Sequence, residues 1–244
     1  MRRVWLFDLG NSRFKFAPLV RGRLGQVNAY TYPQTQMAQA LEEILPSGDR
    51  VYLASVAPPE ITHIFMLMLK QRFAKHQRVI SVSRYGGIQV AYAEPHRLGV
   101  DRFLAMLAAY NAQQHVLVVG VGTALTIDLL TAEGNHLGGR ISASPTLMRT
   151  ALHQRAVQLP IEGGNRVFFA TNTEDALASG CEGASIAIIK ESVENAQQRL
   201  KAPIRLLLHG GGALALASAL SRAEYRPSLV LDGLAIWAAS QSKP

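Results

Sequence analysis

The sequence has one cysteine, Cys181, in 244 residues. An internal disulfide framework is therefore excluded, a cysteine-built zinc site is not expected, and a reducing compartment fits. Long apolar runs are also missing: none approaches the ~20 residues of a membrane-spanning helix. Met1-Arg2-Arg3 is followed by only a short apolar run, which Asp8 interrupts. No small-residue cleavage site comes after it, so no secretory signal is expected and the cytoplasm is the expected location. Aromatic residues make up 7% and are not interleaved with arginine, and the basic residues form no block of five or more. A nucleic-acid partner is not expected on that pattern. The seven histidines show no metal-ligand spacing and read as surface or capping residues. A Gly-Lys-Ser/Thr phosphate loop and a Gly-x-Ser-x-Gly nucleophile elbow are both absent.

Enough apolar sequence remains for a sizeable core: 48% of residues are hydrophobic and 17% charged. The formal net charge is +8, from 25 Lys and Arg against 17 Asp and Glu, which favours anionic partners such as phosphorylated small molecules.

Periodicity predicts strands over 4–7, 14–20 and about 26–32, a helix over 35–45 and a strand over 51–56. A helix from Pro58 to about Ala74 and a strand over 79–82 follow. Residues 84–102 are irregular and polar, and a helix is predicted over 101–113. The plan then repeats. Strands are predicted at 116–119, 125–130 and 136–141, and helices at 145–156 and 173–199, the second with a possible break at Gly180 or Gly183. A strand over 204–208, a helix from Ala213, a strand over 228–231 and a helix over 233–240 complete the chain. The expected organisation is two α/β halves of similar plan, residues 1–114 and 115–244.

Each half has a glycine turn between its first two strands. The first is Asp8-Leu9-Gly10-Asn11-Ser12-Arg13-Phe14-Lys15 and the second Gly120-Val121-Gly122-Thr123. Taken alone, the first is a plain hairpin turn. A carboxylate, a glycine, small donors and a lysine also suit a metal–phosphate complex. The duplication favours phosphate-binding turns facing one crevice. Gly210-Gly211-Gly212 lies between a strand and a helix, where a ligand can approach closely. It lacks the β-α-β context of a dinucleotide fingerprint. Asp101, after Gly99 and Val100, reads equally as a helix N-cap or as the acceptor of a hydroxyl proton, and Arg102 can neutralise a carboxylate or phosphate.

Together these pieces resemble the type III pantothenate kinases, a branch of the superfamily of acetate and sugar kinases, heat-shock protein and actin. The resemblance spans essentially the whole chain. It rests on Asp8-x-Gly10-Asn11-Ser12 with Lys15, on Tyr92 with Gly99-Val100-Asp101-Arg102, and on Gly122-Thr123-Ala124-x-Thr126-x-Asp128. Further matches are Gly138-Gly139-Arg140-Ile141, Thr173 with Gly180, Gly210-Gly211-Gly212 and Leu229 to Leu234. It implies two ribonuclease-H-like domains of duplicated βββαβαβα plan with an active-site cleft between them. It also implies transfer of the ATP γ-phosphate to the primary hydroxyl of pantothenate, the first step of coenzyme A synthesis. By resemblance Asp101 is the general base and Asp8 holds magnesium. Asp8, Gly10, Asn11, Ser12, Arg13, Lys15, Gly122, Thr123, Gly210 and Gly211 are implied to bind ATP and its phosphates. Tyr92, Gly99, Val100, Arg102 and Thr173 line the pantothenate pocket. A homodimer, no membrane and no nucleic acid are implied as well.

Two positions depart from the family pattern. Gly120 stands where much of the family has an Asp that helps bind an activating monovalent cation, potassium or ammonium. Either that dependence is lost or another oxygen serves. Ala143-Ser144 replaces an expected Pro-Gly. The alternative functions are a transcriptional accessory factor of the same family and a superfamily kinase for another small alcohol.

Overall fold

The computed structural model describes residues 3–32 and 37–241. The predicted helix over 35–45 begins in part outside these residues. The first part of the chain runs β1 (Val4–Leu9), β2 (Arg13–Val20), β3 (Arg23–Leu24), β4 (Asn28–Thr31), α1 (Met37–Ile44), β5 (Gly48–Ser55), α2 (Pro59–Arg72) and β6 (Phe73–Arg78). A small hairpin follows, β7 (Arg84–Tyr85) and β8 (Ile88–Gln89), then α3 (Val100–Ala109). The next stretch runs β9 (His115–Val121), β10 (Ala124–Leu130), β11 (His136–Ala143), α4 (Pro145–Arg155), α5 (Thr173–Leu200), β12 (Ile204–His209), α6 (Ala213–Ala217) and β13 (Ala223–Tyr225), and α7 (Leu229–Ser240) ends it.

The two larger sheets share one plan. The first is ordered β3-β2-β1-β5-β6, with β4 also on β2, and the second β11-β10-β9-β12-β13. In each, the first long strand runs antiparallel to its hairpin partner and parallel to the strand after the first helical crossover. This is the ribonuclease-H-like arrangement, present twice.

The local sequence explains the sheets. β1 is central, so Leu6, Phe7 and Leu9 are all buried. In β2 the period is two: Phe14 and Phe16 point into the core and Arg13 is exposed. Phe14 stacks on Tyr30 and Tyr32 and meets Phe65 of α2 edge-on at 4.9 Å between centroids. In the second sheet Leu117, Val119, Leu125, Ile127, Leu206 and Leu208 pack with Ile186 and Ile189 of α5. α5 runs unbroken through Gly180 and Gly183, because its buried stripe, Leu177, Cys181, Ser185, Ile189, Ser192 and Ala196, keeps helical spacing across both.

Two predicted elements are corrected. The strand expected over 79–82 lies earlier, in β6, directly after α2. β6 is an edge strand, polar and exposed after Phe73, so it has no apolar signature. The strand expected over 228–231 is the first turn of α7; a run buried on every side cannot be assigned by periodicity. The edge strand β13, Ala-Glu-Tyr, was not predicted for the same reason as β6.

The chain forms two compact units. One comprises residues up to Ala108 together with those from Ser228 onward, and the other residues 109–227. The expected division into contiguous halves is therefore corrected by α7. That helix packs on β1, β2, β3 and β5. Its Trp237 ring stacks on Tyr85 at 4.1 Å, and the Tyr85 hydroxyl donates to the Trp237 carbonyl at 3.1 Å. At Gly233 the backbones touch, since a Cβ there would lie 2.0 Å from the Leu104 carbonyl oxygen. No helix among the described residues is long and apolar enough to cross a membrane.

Candidate active site

In the first unit the β1–β2 register sets Asp8 opposite Lys15. The connecting turn is closed by the Gly10 amide donating to the Arg13 carbonyl at 3.0 Å. Asn11, Ser12 and Arg13 are exposed on it. The Tyr32 hydroxyl donates to the Gly10 carbonyl at 2.7 Å and braces the turn from below. Asp8 is half-buried, and its carboxyl is pushed up to about 7 by burial and then by the negative charge of Asp101, with Lys15 pulling it down. Burial, with the charge of Asp8 beside it, also raises the Tyr32 hydroxyl. Asp8 and Asp101 lie in one unit, and the charge of Asp101 acts on the Asp8 carboxyl.

Asp101 lies in the first turn of α3 and is not its N-cap. Its Oδ1 accepts from the Arg102 amide at 2.8 Å. Gly99 leaves room for this carboxyl, because a Cβ there would meet Asp101 Oδ1 at 2.6 Å. Val100 is buried and anchors the turn in the core. Arg102 is only 6% exposed. It donates to the Tyr92 hydroxyl at 3.2 Å, with its guanidinium 5.9 Å from the Tyr92 ring centroid. A buried, aromatic-braced guanidinium is well suited to a carboxylate or phosphate. The structure thus brings Asp8, Lys15, Tyr92, Asp101 and Arg102 into one unit.

The second unit has its own glycine turn. The Gly122 amide donates to the Ala124 carbonyl at 2.9 Å. The Thr123 carbonyl accepts from Ser144 Oγ at 2.9 Å, and Ser144 Oγ in turn caps α4 by accepting from the Leu147 amide at 3.2 Å. Gly210, at φ +93°, begins the β12–α6 turn, and the Gly212 amide donates to the Val121 carbonyl at 3.0 Å. The turns carrying Gly122-Thr123 and Gly210-Gly211 are therefore fastened to each other. Thr173 is exposed at the start of α5, whose N-cap is Asn172.

Two side chains at these turns were not singled out from sequence. Tyr32 directly follows β4, whose pairing with β2 agrees with the strands predicted over 14–20 and about 26–32, but its hydroxyl bond to the Gly10 carbonyl has no sign in the sequence. His209 reads from the sequence as a surface or capping histidine like the other six. Its place directly before Gly210-Gly211-Gly212 is the signal that could have marked it. Among the described residues no group of three or more His, Cys, Asp or Glu could hold a metal.

A family model described as type III pantothenate kinase matches residues 4–195. The type III pantothenate kinase of Xylella fastidiosa (strain M23) is 59% identical over 236 residues, covering 96% of this chain and 97% of that protein. That of Stenotrophomonas maltophilia (strain K279a) is 57% identical over 238 residues, covering 97% and 98%. Among solved structures, a protein from Campylobacter jejuni described as a Baf family transcriptional activator is similar with a TM-score of 0.67 at 22% identity, over 97% of this chain and 99% of that one. An activator of 2-hydroxyisocaproyl-CoA dehydratase from Clostridium difficile is similar with a TM-score of 0.51 at 10% identity, over 99% and 98%. At these identities the structural likeness bears on the fold alone.

Proposed function

The chain belongs to the type III pantothenate kinase family, and on that premise we propose how its residues divide the work. It is a kinase: it phosphorylates pantothenate, an alcohol acceptor, in coenzyme A biosynthesis. The identity over nearly the full length of relatives named type III pantothenate kinase carries this conclusion.

Asp101 is assigned as the general base on the primary hydroxyl of pantothenate. Support comes from its position beside Gly99, on a helix whose next residue is the braced Arg102. Arg102 pairs with the pantothenate carboxylate, and Tyr92, Gly99, Val100 and Thr173 complete the substrate side. Asn11, Ser12, Arg13 and Lys15 surround the ATP phosphates with the Gly10 turn, as do Gly122 and Thr123 with Gly210 and Gly211. Phosphoryl transfer is served by positioning and charge neutralisation, which this set supplies.

Magnesium fits the donor set. One carboxylate, Asp8, joined by substrate phosphates and water, is the usual way this ion is held, so the lack of a three-ligand protein cluster is no obstacle. The raised Asp8 carboxyl is also one that a cation would favour in its charged form. When bound, the ion neutralises phosphate charge; Asp8 holds and orients it.

Potassium is assigned no role. At residue 120 a Cβ would lie 2.7 Å from Thr126 Oγ1 and 2.9 Å from His209 Nε2, so the space of the family's cation-binding Asp is taken. Turnover in buffers freed of monovalent cations is expected to change little when potassium is added. A strict requirement would overturn this.

We also assign a homodimer in the cytoplasm. Phe168 and Phe169, 90% and 86% exposed and packed edge-on against each other, suit burial against a second copy. The single cysteine suits a reducing compartment.

The decisive assay is phosphorylation of pantothenate against a panel of sugars and other alcohols, by the wild type and Asp101→Asn. Pantothenate is the expected acceptor. The variant is expected to lose about 10²–10⁴-fold in kcat while still binding ATP. Near-normal turnover by Asp101→Asn would remove the base assignment, and preference for another alcohol would remove the substrate.

A further inference from the structure

The Arg102–Tyr92 brace has a counterpart elsewhere in the first unit. Arg50 lies on β5, an inner strand between β1 and β6. Its Nη1 donates to the Tyr52 hydroxyl at 3.0 Å, and its guanidinium carbon is 5.9 Å from the Tyr52 ring centroid. Tyr52 is fully buried, so the guanidinium is held by the core rather than left to swing in solvent. Directly opposite Arg50 in the β5–β6 register is Lys75. Like charges directly opposite each other destabilise a sheet, and an anion between them removes the penalty. Edge protection accounts for the charges of β6 but not for one on the inner strand.

Beside this pair opens a cavity of ≈ 350 Å³ lined by Arg50, Ala74, Lys75, His76, Gln77 and Gln241, the last at the end of α7. No acidic side chain lines it. Asp49, next to Arg50 in sequence, accepts instead from the Arg3 amide at 2.6 Å. The side chains of Lys75, His76, Gln77 and Gln241 make no hydrogen bond or ion pair among the described residues. The volume falls within the range of small-molecule sites, about 300–1,000 Å³. The cavity stands apart from the glycine turn of the same sheet. β5 pairs Ala54 with Asp8 and Arg50 with Val4, so four residues of strand, about 13 Å, separate the two places.

We propose that Arg50, Lys75 and His76 bind the phosphate groups of a small phosphorylated molecule at this end of the first sheet, a second ligand site outside the proposed active site. Arg50 offers a pre-set fork, Lys75 a mobile point charge and His76 an imidazole N–H. Gln77 and Gln241 carry both donors and acceptors for the uncharged remainder of the ligand. A bound phosphate replaces the repulsion between Arg50 and Lys75 with attraction to both.

The test uses the full-length protein with pyrophosphate as the probe. Lysine acetylation is followed residue by residue by mass spectrometry, at constant ionic strength, in the wild type, Arg50→Gln and Lys15→Ala. In the wild type, saturating pyrophosphate is expected to slow acetylation of Lys75 about tenfold, because a charge-assisted contact occupies its amine. Lys190, exposed in the second unit, should be unaffected. Arg50→Gln should abolish the protection while pantothenate turnover stays within about twofold of the wild type, as expected of a residue outside the reaction. Lys15→Ala should keep the protection, which separates this site from the phosphate turns. Equal protection by inorganic phosphate would assign a single phosphate group to the cavity, and protection by pyrophosphate alone a diphosphate of the kind a nucleotide carries. Equal acetylation of Lys75 with and without pyrophosphate overturns the proposal. So does protection that survives Arg50→Gln or disappears in Lys15→Ala. Should Arg50→Gln fail to fold, His76→Ala on the exposed edge strand carries the comparison. A need for about fivefold more pyrophosphate to protect Lys75 then supports the site, and an unchanged need overturns it.

Discussion

Asp8 carries two loads at once, a place in a packed strand and a charge beside Asp101. Its carboxyl, at about 7 rather than 3.8, holds a proton more tightly in the folded chain than in the unfolded one. The stabilisation from that proton is full below about pH 4 and is lost as the pH rises through about 7. In metal-free buffer Asp8→Asn should melt with the wild type near pH 4 and above it near pH 8, a window set by those two values. A melting difference that does not vary with pH would refute this account. Asp8 and Lys15 were legible as neighbours because a short glycine turn fixes a hairpin register, and with it which side chains face each other. His209 was not, because its neighbour in the sheet, Gly120, comes from a strand distant in sequence. The Arg102–Tyr92 brace lay between: both residues were picked out, but their mutual packing depends on a loop with no periodic pattern.

At the level of elements, legibility followed burial. Strands buried on both faces, such as β9 and β12, read directly from their apolar runs. The edge strands β6 and β13 carry polar residues to discourage further pairing, so the pattern that would reveal them is absent. α7 misled for the opposite reason. It is apolar almost all round, and only its packing shows where its first turn belongs. That packing depends on Gly233. Gly233→Ala would set a methyl group against the Leu104 carbonyl and force α7 away from α3, costing roughly 2 kcal/mol or more. Urea denaturation should show a lower midpoint. A variant as stable as the wild type would mean that this contact is readily relaxed.

For the whole molecule, the net charge of +8 accords with phosphorylated ligands, and the apolar pair Phe168 and Phe169 accords with self-association. If the proposed homodimer uses this pair, replacing both phenylalanines with serine shifts sedimentation from dimer towards monomer at low micromolar concentration; a wild type that sediments as a monomer overturns the dimer, and an unchanged dimer puts the interface elsewhere. The return of α7 to the first unit also has a consequence for biosynthesis. Residues 109–227 form their unit from one uninterrupted segment, whereas the unit begun by β1 includes residues from Ser228 onward. On the ribosome, the later-encoded unit has all of its chain first. The earlier one must wait, with the surface that α7 will cover still open, until α7 has been made.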